Sequence, residues 1–160
     1  MNIYREVRDK LGLTRDQASE LLETIPPERI ERIENERQLP SPEDVMIMAD
    51  KYGEPNIRNY YCANQCPMGQ HFVPKIIFTD LEKTVLKLVA SLNSMHVKKD
   101  KLIEIAEDGQ ITEDEMLDFI SIQKDLEKVS LAVDALELWT EKMMSSGKID
   151  MKKYMALLNK

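Results

Sequence analysis

Apolar residues along the chain recur at intervals of three and four, and no run alternates convincingly with period two, so the pattern predicts helices and no sheet. Ile30 and Ile33 stand three apart, which puts one apolar ridge on a helix whose other faces carry Glu28, Arg29, Glu31 and Arg32. A longer series steps by alternating threes and fours from Phe119 through Ile122, Leu126, Val129, Val133 and Leu136 to Thr140 and Met143, a seven-residue repeat. Helix starts are marked by capping boxes at Thr14–Gln17, Thr79–Glu82 and Thr112–Glu115, and by first-turn prolines after Ser41 and at Pro26-Pro27. Gly12, Gly53, Gly109 and Gly147 follow apolar-periodic segments as stops. The predicted helices lie near 2–11, 14–22, 27–36, 42–52, 79–96, 98–107, 112–146 and 150–159.

The pattern changes character in the middle of the chain. All seven arginines lie within the first 58 residues, and every later basic residue is lysine. Residues 59–74 contain no Asp, Glu, Lys or Arg, hold both cysteines, two prolines and a glycine, and show no helical period. The expected division is therefore a domain over 1–58, a cysteine-containing linker over 59–75 and a helical bundle over 76–160. A helix of about 35 residues in that bundle is about 50 Å long, more than the short remainder covers unaided. Leu131, Leu138 and Trp139 widen its apolar face, so the shorter helices wrap it or a second chain does. The repeat of Phe119, Ile122, Leu126, Val129, Val133, Leu136 and Met143 is expected to make a homodimer, with an ordinary intramolecular core as the alternative.

Composition narrows the function. With 160 residues, 42% hydrophobic and 6% aromatic, the chain makes one ordinary domain or two small ones, not a large multidomain enzyme. Lys and Arg number 22 against 29 Asp and Glu, a net charge of -7 that disfavours a polyanion partner on average. No stretch is apolar enough to span a membrane and the N-terminus lacks a signal peptide's apolar core, so a cytoplasmic location and no membrane partner are expected. Cys62, Cys66 and His71 offer up to three zinc ligands without an evident fourth and are expected to hold no metal, while Tyr60, Tyr61, Cys62 and Cys66 are expected to pack between the two pieces. Asp108-Gly109-Gln110-Ile111 with Glu115 matches the second half of a calcium loop, but Glu104 and Ala106 spoil the first half. No nucleophile elbow, phosphate-cradling glycine loop or zinc-protease motif occurs, so neither an enzyme nor a cofactor is expected.

Residues 13–22 (Leu-Thr-Arg-Asp-Gln-Ala-Ser-Glu-Leu-Leu) and 29–41 (Arg-Ile-Glu-Arg-Ile-Glu-Asn-Glu-Arg-Gln-Leu-Pro-Ser) resemble the XRE family of phage-repressor and Cro-like helix-turn-helix transcriptional regulators. The resemblance spans about residues 2–58 and joins a Gly-Leu-Thr entry, a small residue where two helices cross, an Ile-x-x-Ile-Glu stripe and a Pro-Ser stop. It implies an all-α fold: a five-helix-type repressor-like domain followed by a helical bundle with one long helix.

The same resemblance implies a double-stranded DNA operator bound by a dimer. The second helix of the motif would enter the major groove with Pro27, Glu28, Arg29, Glu31, Arg32 and Asn35, while Arg15 and Gln17 sit near phosphates. It also implies a structural ion pair between Arg8 and Glu34. Two departures stand out. Glu23 occupies the turn position where the family usually carries Gly, and Glu23-Thr24-Ile25 adds about one residue before the prolines. Moreover, residues 1–58 hold nine basic and thirteen acidic residues. Glu28 and Glu31 on the reading helix leave open the alternative of a protein-interaction module that keeps the fold without binding DNA.

Overall fold

Three of the first four helices begin where a side chain is on hand for amides that the helix leaves unpaired, and the other begins on a proline. In the computed structural model, which describes residues 2–107 and 109–158, Asn2 caps α1 (Ile3–Lys10) by accepting from the amides of Tyr4 and Arg5. Thr14 and Gln17 form a reciprocal capping box on α2 (Arg15–Leu22), Pro27 opens α3 (Pro27–Glu34), and Ser41 with Asp44 boxes the start of α4 (Pro42–Lys51). Five further helices follow: α5 (Asn56–Asn64), α6 (Gly69–Phe72), α7 (Leu81–Ala106), α8 (Met116–Ser145) and α9 (Met151–Leu158). The described residues contain no strand, as the periodicity predicts.

Three expectations change. The charge-free segment, expected to lack a helical period, holds most of α5 and all of α6. Ile57 is fully buried and Tyr60 and Tyr61 pack against the core, which docks α5 against the preceding helices. Gly69 sits so close to α5 that a Cβ there would lie 2.2 Å from the carbonyl oxygen of Cys62. Second, the helices expected at 79–96 and 98–107 are one, α7, running through Val97, where no breaker intervenes. Asp80 rather than Thr79 occupies its cap position, and the Thr79 hydroxyl bonds that of Thr84 at 2.9 Å. Third, Thr112 and Glu115 do bond each other, but they close a turn ahead of α8, which starts only at Met116. Asp108 of the calcium-loop match and residue 159 at the end of the last predicted helix lie outside the described residues.

The chain forms two compact units. One comprises residues up to Ile76 together with those from Thr140 onward, and the other comprises Ile77–Trp139. The first packs Tyr4, Leu22, Ile25, Ile30, Met48 and Ile57 into its core. Tyr4 donates from its hydroxyl to Gln65 at 2.7 Å, and burial pushes its pKa well up from the ordinary phenol value. The end of α8 is tied to this unit: Lys142 donates to the Gly53 carbonyl at 2.9 Å and to Glu54 at 2.7 Å, and Arg58 donates to Glu141 at 2.6 Å. Charge divides sharply between the units. The first carries 15 basic and 15 acidic residues and the second 7 and 14, so the second holds the whole net charge of -7.

In the second unit α7 and α8 run antiparallel, with Ser94 opposite Asp125 and Lys98 opposite Ser121. Asp125 is buried and accepts from Ser94 at 2.6 Å, Lys98 at 2.7 Å and Lys128 at 2.8 Å. Lys128 first, then Lys98 and Ser94, hold its carboxyl well below the usual range. A carboxyl depressed on folding adds stability above its unfolded pKa of about 3.9, and that contribution is lost as pH falls below it toward the folded value. Asp125→Asn is therefore expected to lower the melting temperature near neutral pH. The gap to the parent chain should close as pH is lowered below about 4, measured by circular dichroism across a pH series.

Candidate nucleic-acid interface

Ile30 and Ile33 pin the inner side of α3 into the core, so the outer side is what α3 offers to a partner. Beside that ridge lies Glu34, whose carboxylate is buried. Arg8 donates to it from Nε at 2.5 Å and from Nη2 at 3.0 Å, and Arg15 donates from Nε at 2.9 Å. One acid thereby joins α1, α2 and α3, and Nη1 of Arg8 donates to the Leu13 carbonyl at 2.6 Å and pairs with Asp9 at 2.8 Å. Its hydrogen bonds to the Glu34 carboxylate raise the Arg8 pKa. Tyr52 lies close enough that its hydroxyl, already raised by burial, is pushed up to about 12. Asn2 adds a second tie, donating to the carbonyl of Ile33 at 3.0 Å.

Arg29 does not extend from the free side of α3. It donates to Asp44 from Nε at 3.0 Å and from Nη2 at 2.6 Å, while Asp44 also serves the α4 capping box. The reason is positional: Arg29 stands on the flank of α3 that meets the start of α4, and two of its N–H groups converge on one oxygen, Oδ2, of a carboxylate held by its own cap. Glu28, Arg32 and Asn35 are exposed, while Glu31 and Pro27 are half-exposed. Arg32 uses Nε on the Glu28 carbonyl at 3.2 Å and keeps its outer nitrogens toward solvent. Asn35 donates to Glu31 at 3.3 Å, and Arg37 approaches Glu31 at 4.0 Å.

At the start of α2, Gln17 gives its amide oxygen to the Thr14 amide at 2.9 Å, which leaves the amide nitrogen directed outward. Arg15, 35% exposed, still presents guanidinium N–H groups beside the helix N-terminus. Between α2 and α3, Glu23 has φ 63° and ψ -41°, and Thr24 donates its amide to the Leu22 carbonyl at 2.7 Å. That is a γ-turn of the rare positive-φ kind, strained for any residue with a Cβ. Lys51 holds the Glu23 side chain at 2.5 Å.

The other residues singled out in the sequence lie elsewhere. Cys62 and Cys66 are free thiols, the latter accepting from the Gly69 amide at 3.4 Å, and among the described residues no three His, Cys, Asp or Glu side chains converge as a metal site. Along α8, Ile122 is buried, Leu126 and Val133 are exposed, and Phe119, Val129, Leu136 and Met143 are half-buried. No described helix is long and apolar enough to cross a membrane.

A model of the helix-turn-helix family matches residues 5–55, about a third of the chain. That family is a DNA-binding domain of transcription regulators and not an enzyme family. Neither a curated protein nor a solved structure gives a match.

Two outcomes follow from this geometry. Glu34→Ala leaves two guanidinium groups without their buried acid and should cost about 3–5 kcal/mol of folding stability, whereas Arg32→Ala should stay within about 0.5 kcal/mol, both by denaturant titration. Glu23→Gly relieves the turn and should raise the melting temperature by several degrees, while Glu23→Ala keeps the strain, loses Lys51 and should not.

Proposed function

We propose that this chain, whose residues 5–55 form an XRE-type helix-turn-helix domain, is a transcription regulator that occupies a two-half-site operator as a dimer and reads bases with α3. The observation that carries this reading is the solvent-facing side of α3 beside the N-terminus of α2. An α-helix fits a major groove about 12 Å wide. With Ile30 and Ile33 inward, Glu28, Glu31, Arg32 and Asn35 are the side chains placed to meet base edges. Arg32 is the reader of guanine, since its outer nitrogens form the donor fork that O6 and N7 accept. Glu31 accepts from a cytosine amine.

Arg15 and Gln17 take phosphate positions, each with donors left over after its structural bond, and the positive end of α2 adds to them. Arg29 is assigned to hold α3 against α4 rather than to bases. The neutral balance of the first unit supports DNA binding better than the chain average does. Even so, a neutral surface with two acids on the reading helix implies weak binding per monomer and dependence on a dimer. One observation favours a second reading, a protein partner for α3: Glu28 and Glu31 both stand on its accessible side.

Binding to DNA fragments from around its own gene, followed over a salt series, tests the reading. Affinity should fall as salt rises, Arg15→Ala should lower the salt slope by about one, and Arg32→Ala should relax preference at one base by about 1–3 kcal/mol. Arg29→Ala should lower stability with sequence preference intact. An absence of binding at low salt overturns the DNA reading and leaves the protein partner.

A further inference from the structure

We propose that the antiparallel pair of α7 and α8 binds a second copy of this chain through one apolar face, closing a four-helix bundle. The pair is short of a core. Among the described residues of the second unit four apolar side chains are buried, Ile105, Ile122, Ala132 and Leu138, whereas the first unit buries twelve in one cluster. Two helices joined along a single seam leave a flank of each uncovered, and covered apolar area is what holds a small helical domain together.

One set of the uncovered residues is ordered along a single face, while Leu86, Val97 and Leu117, exposed at 69%, 82% and 78%, stand toward the lysine side. On α7, Val85, Val89, Leu92 and Ile103 are all exposed and fall within an arc of about 60° at 3.6 residues per turn. On α8, Phe119, Leu126 and Val133 are spaced by seven, the last two 46% and 40% exposed. Both stripes lie on the same side of the pair. Ser94 and Lys98 meet Ser121 and Asp125 along one edge of the seam. On each helix the apolar stripe is turned by about 90–130° from the seam in the direction away from that edge.

Basic residues mark the opposite side. Lys83, Lys87, Lys98, Lys101, Lys124 and Lys128 all fall toward the Ser94–Asp125 edge, and Lys99 alone borders the apolar stripe.

Area and symmetry choose the occupant. A face as long as the 26 residues of α7 spans about 39 Å, and two helices packed about 8–10 Å apart present about 20 Å of width. That is about 800 Å², what each partner contributes to a standard stable interface. The deficit belongs to the unit's own fold, so its cover must be present whenever the chain is folded. The matching two-helix layer that meets this condition is the same unit of another copy, paired about a two-fold axis. Glu82 and Asp100 on α7 and Glu127 and Asp134 on α8 rim the face, and the exposed Glu137 stands in line with Phe119 on it, so two copies repel there and salt screens them.

This deepens the dimeric reading above, and because the test uses no DNA its failure leaves the DNA-binding reading standing. Sedimentation of the full chain should show a dimer that tightens as salt rises. Val89→Glu with Leu126→Glu should weaken it about 100-fold. Val97→Glu with Leu117→Glu, at positions 82% and 78% exposed on the lysine side, should leave it unchanged. For the unmodified chain, the melting temperature should rise with protein concentration. A monomer at high concentration, a concentration-independent melting temperature, or equal effects of the two double variants overturns the proposal.

Discussion

The buried carboxylate of Glu34 is the interaction on which the first unit depends. A charge taken out of water is tolerated only when its lone pairs are filled, and here two arginines from two other helices fill them. The consequence is geometric. α1, α2 and α3 are short helices of eight residues each, too short to persist alone, and a shared polar anchor fixes their crossing where a purely apolar contact would let them slide. The Arg29–Asp44 pair repeats the device between α3 and α4. Two of the arginines that look available for a polyanion are thereby structural, and what remains at the surface of the motif is a small set led by Arg32 and the outer part of Arg15.

The net charge of the chain misleads when treated as a property of one body. Residues from Thr140 onward join the first unit and bring five lysines against two acids, which offsets the acid excess of its N-terminal part. The second unit keeps an excess of seven acids. An acidic average is thus compatible with a neutral unit around the helix-turn-helix, and the electrostatic objection to DNA shrinks from the whole chain to Glu28 and Glu31.

The helical fold and the helix-turn-helix motif are legible in the residues because their signals are local. Thr14 with Gln17 and Ser41 with Pro42 announce helix starts through bonds that span three residues, and the Ile30–Ile33 ridge follows from one turn of helix. Non-local features are less legible. The fate of Arg29 depends on the distance between two helix ends, which spacing does not encode. The helical character of residues 59–64 is masked because Asn59, Tyr60, Tyr61, Cys62, Ala63 and Asn64 are all half-buried and none carries a charge that sets one face apart from another. α7 runs on through Val97 because no Gly or Pro interrupts it there, and the return of the chain to the first unit at Thr140 depends on Lys142 and Arg58 finding partners 88 and 83 residues away.

The two units distribute polarity in opposite ways. The first puts its apolar residues inside and a polar helix face outside. In the second, the middle of the α7–α8 seam is given to Asp125 with its three donors, a layer that a plain bundle would fill with leucine. Such a layer fixes register: Ser94 must face Asp125 and Lys98 must face Ser121, and a slip by one heptad would strand a buried carboxylate. The same two helices carry exposed Val85, Val89, Leu92, Leu126 and Val133 away from that layer. Register within the pair rests on this polar layer, and the apolar stripe on the outer flank takes no part in setting it.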